Sequence, residues 1–224
     1  MYEVISQYYD LFMDSRRPWI DFALSKVGSG KRGADVGCGS GEVSLRLSKS
    51  GNQVIAIDSS PGMLTVAAKK FREAGLDIPT VLQSAQRLNL GCEVDFITAM
   101  CDVVNYLKNP RSFFRAAYKN LRHGGVLIFD ISNEYKLREV LGNNVYTDTK
   151  GGITYVWENF LYRDRVEMEL SFFVPEGSLF KKLTDNQTQY IHSDEAILNQ
   201  LVETGFSAKK TSKKDRTYFV AKKV

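Results

Sequence analysis

Cysteine is scarce in this chain of 224 residues. Only Cys38, Cys92 and Cys101 occur, an odd number with no C-x-x-C spacing. That pattern indicates neither a disulfide framework nor a zinc site, and no metal centre is expected. Long apolar runs are also missing, and none approaches the ~20 residues that a membrane-spanning helix needs. Met1-Tyr2-Glu3 carries neither the basic nor the apolar region of a signal peptide. The expectation is therefore a cytoplasmic protein with reduced thiols and no membrane partner. No single sign of charge dominates. The net charge of +4 permits an anionic partner without requiring one, since scattered lysines also suit a solvated surface. A hydrophobic content of 43% and a charged content of 25% are ordinary for a globular chain. The length suits one domain with an insertion.

What is present is organised around Ala34-Asp35-Val36-Gly37-Cys38-Gly39-Ser40-Gly41-Glu42. A short apolar strand stops at three glycines spaced two apart, and a segment of helix formers follows. Glycines belong where the backbone needs positive φ or where a ligand lies against it. The next helix points its first N–H groups at whatever occupies the turn. Val54-Ile55-Ala56-Ile57 is a second apolar strand and ends in Asp58. Strand, glycine turn, helix and a second strand ending in an acid form a βαβ nucleotide unit. The acid is placed to accept hydrogen bonds from a ribose diol.

The spacing narrows the nucleotide. A dinucleotide turn reads G-x-G-x-x-G/A, whereas here Glu42 follows Gly41 directly, and a carboxylate there repels a pyrophosphate. S-adenosylmethionine (SAM) has an adenosine and a diol but no phosphate, and its sulfonium and ammonium groups are cationic. Asp35 suits that cationic end. The string Asp35-Val36-Gly37-Cys38-Gly39-Ser40-Gly41 closely resembles motif I of the class I SAM-dependent methyltransferases, and Asp58 matches the acid at the end of their second strand. The resemblance covers nearly the whole chain. It implies a doubly wound, seven-stranded, mostly parallel α/β sheet of Rossmann-like type, with SAM as cofactor and S-adenosylhomocysteine as product.

Residues 1–27 are predicted helical from the recurrence of Ile5, Tyr8, Tyr9 and Phe12, then Trp19, Ile20, Ala23, Leu24 and Val27, with Pro18 suited to the first turn of a second helix. Tyr2 through Asp10 resembles the Tyr-Asp leader that closes over the cofactor in small members of the family, which makes Tyr9 a cofactor contact. Val43, Leu45 and Leu47 alternate as in a strand, but the crossover between parallel strands requires a helix. Ser60 and Pro61 open another helix, and the resemblance places Met63 against the adenine, near Ser59. After a third strand, Pro79–Gln83, the family commonly has an acid. This chain has Ser84-Ala85-Gln86 instead, so Ser84 or Gln86 is left to accept the adenine amino group through a neutral oxygen. The fourth strand runs into Cys101, whose backbone borders the cofactor. Asp102 and Asn105 at the crevice mouth are candidate substrate contacts or loop caps. His123-Gly124-Gly125 reads as the cap of the next helix, and Val126–Asp130 as a buried fifth strand.

From Val145 to Ile191 the period changes to two. Val166, Met168, Leu170 and Phe172 alternate with charged and polar residues, as in a half-buried antiparallel strand. Residues 145–191 are accordingly an inserted antiparallel β lid over the methyl donor, and residues 1–144 and 192–224 are the SAM-binding core. Tyr155 and Trp157 in the lid could meet a cationic amine or a planar acceptor, or be core. Ser193 caps a last helix, and a terminal hairpin follows whose turn is ringed by lysines, as on a guarded sheet edge.

Methyl transfer from a sulfonium needs alignment and exclusion of water, and a base only if the acceptor must lose a proton. His192, at the start of the last helix, is the one candidate catalytic base. The expected activity is SAM-dependent methyl transfer to a small-molecule acceptor by a monomer or homodimer. Alternatives are an RNA methyltransferase, although nucleic acid is not indicated by any appendage, a non-catalytic SAM-binding regulator, and an NAD-dependent oxidoreductase.

Overall fold

The computed structural model describes residues 5–13 and 17–224. Tyr2, part of the expected leader, lies outside the described residues.

Seven strands form one sheet in the order β10-β11-β5-β4-β1-β2-β3. The first five, β1 (Arg32–Val36), β2 (Gln53–Asp58), β3 (Thr80–Leu82), β4 (Val94–Ala99) and β5 (Leu121–Ser132), pair in parallel. β11 (Arg216–Lys223) runs antiparallel between β5 and β10 (Phe206–Ser212). Parallel strands need long crossovers, and the helices that supply them cover both faces. On one face Phe113 and Phe114 of α5 (Arg111–Asn120) and Ile197 and Leu201 of α6 (Asp194–Thr204) share one apolar cluster with residues of β4, β5, β10 and β11. On the other lie α2 (Arg17–Val27), α3 (Glu42–Lys49) and α4 (Pro61–Glu73). This is the doubly wound sheet expected from the sequence.

Two local expectations are resolved by packing. The alternating stretch after the glycines is helical. It buries Val43, Ser44, Leu45 and Leu47 because α3 is wedged between the sheet and α2, and a helix covered on several sides need not show a clean 3.6-residue period. His123-Gly124-Gly125 is not a helix cap. α5 ends at Asn120, whose side chain donates to the carbonyls of Ala116 and Leu88 and accepts from Leu90 N–H. The chain enters β5 at once, and the register slips between Val94 and Phe96 beside the glycines. A Cβ on Gly125 would lie 2.9 Å from the Arg122 carbonyl. The glycine pair thus accommodates a kinked strand, and His123 is an exposed strand residue rather than a partner of the helix dipole.

The N-terminal segment carries the expected second helix, with Pro18 in the first turn of α2, but its first helix is shorter than the apolar recurrence suggests. It forms a 3-10 turn (Ser6–Tyr8), a four-residue α1 (Tyr9–Phe12) and then α2. Ile5 and Phe12 pack against the inserted strands, whereas Trp19, Ile20 and Ala23 pack on the main sheet. One straight helix could not serve both surfaces.

The insertion is a four-stranded antiparallel meander of β6 (Val145–Lys150), β7 (Ile153–Leu161), β8 (Arg165–Glu176) and β9 (Leu179–Tyr190). Val166, Met168 and Phe172 are buried on its inner face. A π-helical turn, Lys136–Leu141, adds Leu137 and Leu141 to that cluster.

Gly41 tests the bend. Its φ is +82°, and an added Cβ would lie 2.6 Å from the buried Phe71 ring. Gly41→Ala should lower stability by about 1–3 kcal/mol from backbone strain and further from overpacking. A denaturant midpoint equal to that of the parent would contradict this packing.

Candidate active site

The bend after β1 lies at the carboxyl edge of the parallel sheet, where ligands of open α/β sheets bind. Gly37, Gly39 and Gly41 all have positive φ, but their surroundings differ. A Cβ on Gly37 would strike Val103 and one on Gly41 would strike Phe71, whereas one on Gly39 would meet nothing within 4 Å. Gly39 faces open space. That space is a cavity of about 300 Å³, within the range of small-molecule sites.

Three carboxylates line the cavity, Asp35, Glu42 and Asp58, and among the described residues no lysine or arginine does. Asp58 accepts from Gly39 N–H (2.8 Å) and Ser60 N–H (2.9 Å), so it braces the bend from the end of β2. Asp35 is buried and accepts from the hydroxyls of Ser44 (2.6 Å) and Thr98 (2.8 Å). Burial pushes its carboxyl up to about 6, and those two hydrogen bonds limit the rise. Burial, with Asp35 and Asp58 nearby, likewise raises the Cys38 thiol.

The leader closes one side. Tyr9 lines the cavity, and its hydroxyl stands 4.0 Å from Cys101 Sγ. Asp10 pairs with Lys70 of α4 at 2.7 Å and accepts from Ser40 in the bend at 2.6 Å. Lys70 also lies 3.6 Å from Glu42. The contacts that join Asp10, Ser40 and Lys70 were not anticipated from sequence, because a charge in a four-residue helix and one in a long helix show no spacing relation.

After β4 the backbone takes two consecutive left-handed residues, Cys101 (φ +67°) and Asp102 (φ +68°). Such conformations persist where surrounding groups hold them. Here the buried Asp130 carboxylate accepts from Cys101 N–H (2.7 Å), and Arg216 bridges Asp130 and Asp102. The guanidinium lies 4.8 Å from the centre of the Trp19 ring, another cavity wall. Burial raises Asp130 to about 6 despite Arg216.

Most sequence-predicted cofactor residues meet at this cavity. Gly37, Cys38 and Gly39 form its floor, with Asp58, Ser59 and Met63 beyond β2, and Ser84, Ala85 and Gln86 beyond β3. Tyr9, Asp35 and Cys101 complete the wall, while Gly41 turns into the core. The substrate and catalytic candidates are not brought there. Asp102 is committed to Arg216 and the Ser132 hydroxyl. Asn105 is a buried strut, donating to the carbonyls of Ser132 and Tyr190 and accepting from Ser132 N–H. Tyr155 packs edge-on to Phe12, and Trp157 packs in the cluster with Leu137 and Met168. His192 sits outside the wall with Nε2 3.0 Å from the Leu107 carbonyl, and burial rather than the helix dipole lowers its pKa. Trp19, Met100, Val103, Tyr106 and Leu107 line the cavity without having been anticipated. Apolar and aromatic residues there carry no signal that separates them from core.

A family model described as a methyltransferase domain matches residues 34–129, from β1 through most of β5. A chain of Geobacillus sp. (strain WCH70), named as a methyltransferase, is 29% identical over 245 residues, covering 99% of each chain. The crystal structure of an S-adenosylmethionine-dependent methyltransferase from Clostridium acetobutylicum superposes with a TM-score of 0.88 at 28% identity, covering 99% of this chain and 98% of that one. The family model, the Geobacillus relative and the Clostridium structure together support a class I SAM-dependent methyltransferase. The fold of the sugar N-methyltransferase KedS8 from Streptoalloteichus sp. is also shared across 99% of this chain and 93% of KedS8, with a TM-score of 0.85 at 18% identity.

Burial pushes the Cys101 thiol up to about 12. At pH 8 the thiolate, which is the reactive form, is then only about one part in ten thousand. Iodoacetamide at pH 8 should leave Cys101 and Cys38 unmodified in the folded protein and label both in urea, as read by peptide mass mapping.

Proposed function

We propose that SAM lies across Gly37–Gly41, and that its methyl group passes to a small-molecule acceptor, leaving S-adenosylhomocysteine. The observation that carries this is electrostatic. A cavity with three carboxylates and no described cation on its wall suits a sulfonium and an ammonium group, and opposes a diphosphate. Gly39 leaves room for the ligand against the backbone. In this reading Asp58 would accept from the ribose diol and Met63 would pack on the adenine, and both line the cavity. Ser84 and Gln86 supply neutral oxygens where an acid would assist with charge. Asp35 faces the cationic amino-acid end.

Bound SAM supplies a methyl group already activated by its sulfonium. The residues of the chain have to align the acceptor and exclude water. Tyr9, held by the Asp10–Lys70 pair, covers one side, and the Cys101 backbone, held by Asp130 and Arg216, fixes the other. An acceptor atom with a lone pair at neutral pH needs no base in this arrangement. His192 in this reading anchors the Leu107 carbonyl rather than moving a proton. A closed leader favours a small acceptor over a polymer. KedS8, which shares the fold over nearly the whole chain, is a sugar N-methyltransferase.

Calorimetry should register binding of SAM and none of NAD, and the reverse would overturn the assignment. Asp58→Ala should weaken SAM at least about tenfold, as for hydrogen bonds to a charged group. Incubation with methyl-labelled SAM and cell metabolites should label a small molecule. Binding without any transfer would favour a SAM-binding regulator.

SAM affinity should also depend on pH through Asp35. Below about 6 the free protein holds this carboxyl protonated, and pairing with a cation then requires release of that proton. Affinity should be flat above pH 6 and fall towards tenfold per pH unit below it. In Asp35→Asn the profile should lose this break.

A further inference from the structure

The inner face of the inserted sheet breaks its own pattern. Val166, Met168 and Phe172 of β8 are apolar and buried, but their register partners and neighbours on β9 include Gln189, Gln187 and Asp185. These three alternate on one face, and the two glutamines are each only 6% exposed. Burying an amide is unfavourable unless its polar atoms are matched.

The match leads to the methyl-donor cavity. The Tyr106 hydroxyl donates to Gln187 Oε1 at 3.0 Å and accepts from Gln189 Nε2 at 3.1 Å. Gln187 Nε2 reaches Asp185 Oδ2 at 3.4 Å. Tyr106 itself lines the cavity. Asn105 fixes the junction by donating to the carbonyl of Tyr190 at the end of β9. Among the buried side-chain atoms of this set, Gln189 Oε1 has no hydrogen-bond partner among the described residues.

We propose that the row Asp185–Gln187–Gln189, joined to Tyr106, is the acceptor-binding subsite, and that it takes an uncharged or cationic molecule bearing amine or hydroxyl groups. This rests on SAM occupying the adjoining cavity. An amide oxygen and a carboxylate accept hydrogen bonds, so the ligand presents N–H or O–H groups to them. The carboxylate of Asp185 in the row disfavours a carboxylate or phosphate ligand. An amine or hydroxyl is also the kind of nucleophile that a sulfonium methyl group needs. Methyl transfer to it forms one N–C or O–C bond, breaks one S–C bond, leaves the sulfur with its electron pair, and releases a proton from the acceptor to solvent.

The test uses the full chain with methyl-labelled SAM and four probes, glucosamine, ethanolamine, glycerol and malonate. Transfer is expected to one or more of the first three and not to malonate. Gln189→Leu and Gln187→Leu should each raise KM for that probe at least about tenfold, with the SAM dissociation constant within twofold of the parent. Gln189→Glu keeps an acceptor oxygen and should recover most of the loss for an amine probe, which a merely structural role would not produce. Unchanged KM in the variants, transfer to malonate alone, or SAM binding with transfer to none of the amine and hydroxyl probes would overturn the proposal. Failure to bind SAM in calorimetry would instead remove the cofactor assignment.

Discussion

A buried carboxylate at the end of β1 holds the site together. Asp35 accepts a hydroxyl from Ser44 on α3 and another from Thr98 on β4, so one side chain ties a strand, its crossover helix and its neighbouring strand directly below the glycine bend. Placing a carboxylate there is unfavourable, as its upward shift to about 6 records. Two hydroxyl donors reduce that cost without neutralising the charge. A negative group is thereby kept beside a cavity that already contains Asp58 and Glu42. A cation entering that space meets a site whose fold has already borne the desolvation.

The cover over the cavity is assembled from distant parts of the chain. Asp10 joins the leader to α4 and the bend, while Ile5 and Phe12 of the same segment pack on the inserted sheet. On the opposite side, Tyr106 and Asn105 couple the turn after β4 to β9. The leader is thus clamped between the two sheets, and the inserted sheet is anchored at the mouth of the cavity rather than hanging from its hinges. Arg216, from the last strand, adds a third link by bridging Asp102 and Asp130 behind the Trp19 wall.

Where sequence and structure part, the cause is in each case a neighbour that sequence spacing does not reveal. Val43, Leu45 and Leu47 imitate a strand because α3 is covered on several sides. His123-Gly124-Gly125 imitates a helix cap because a kinked strand needs the same backbone freedom. Asp102 and Asn105 are polar at a crevice mouth, as substrate contacts would be, yet Arg216 arrives from 114 residues away and Tyr190 from 85 residues away to occupy them. Gln187 and Gln189 carry no mark of burial in their residue type, and only the pairing of β9 with β8 sets them opposite the buried Met168 and Val166.

The doubly wound sheet, the glycine bend, the acid at the end of β2 and the antiparallel insertion were legible in the chain itself. Each depends on local chemistry: glycine at positive φ, apolar period, and charge next to a helix start. Which side chains face the cavity, which are spent on struts, and how the leader and inserted sheet close over it were decided only in three dimensions. Those outcomes rest on pairs such as Asp10 with Lys70 and Arg216 with Asp130, whose attraction acts through space and is indifferent to distance along the chain.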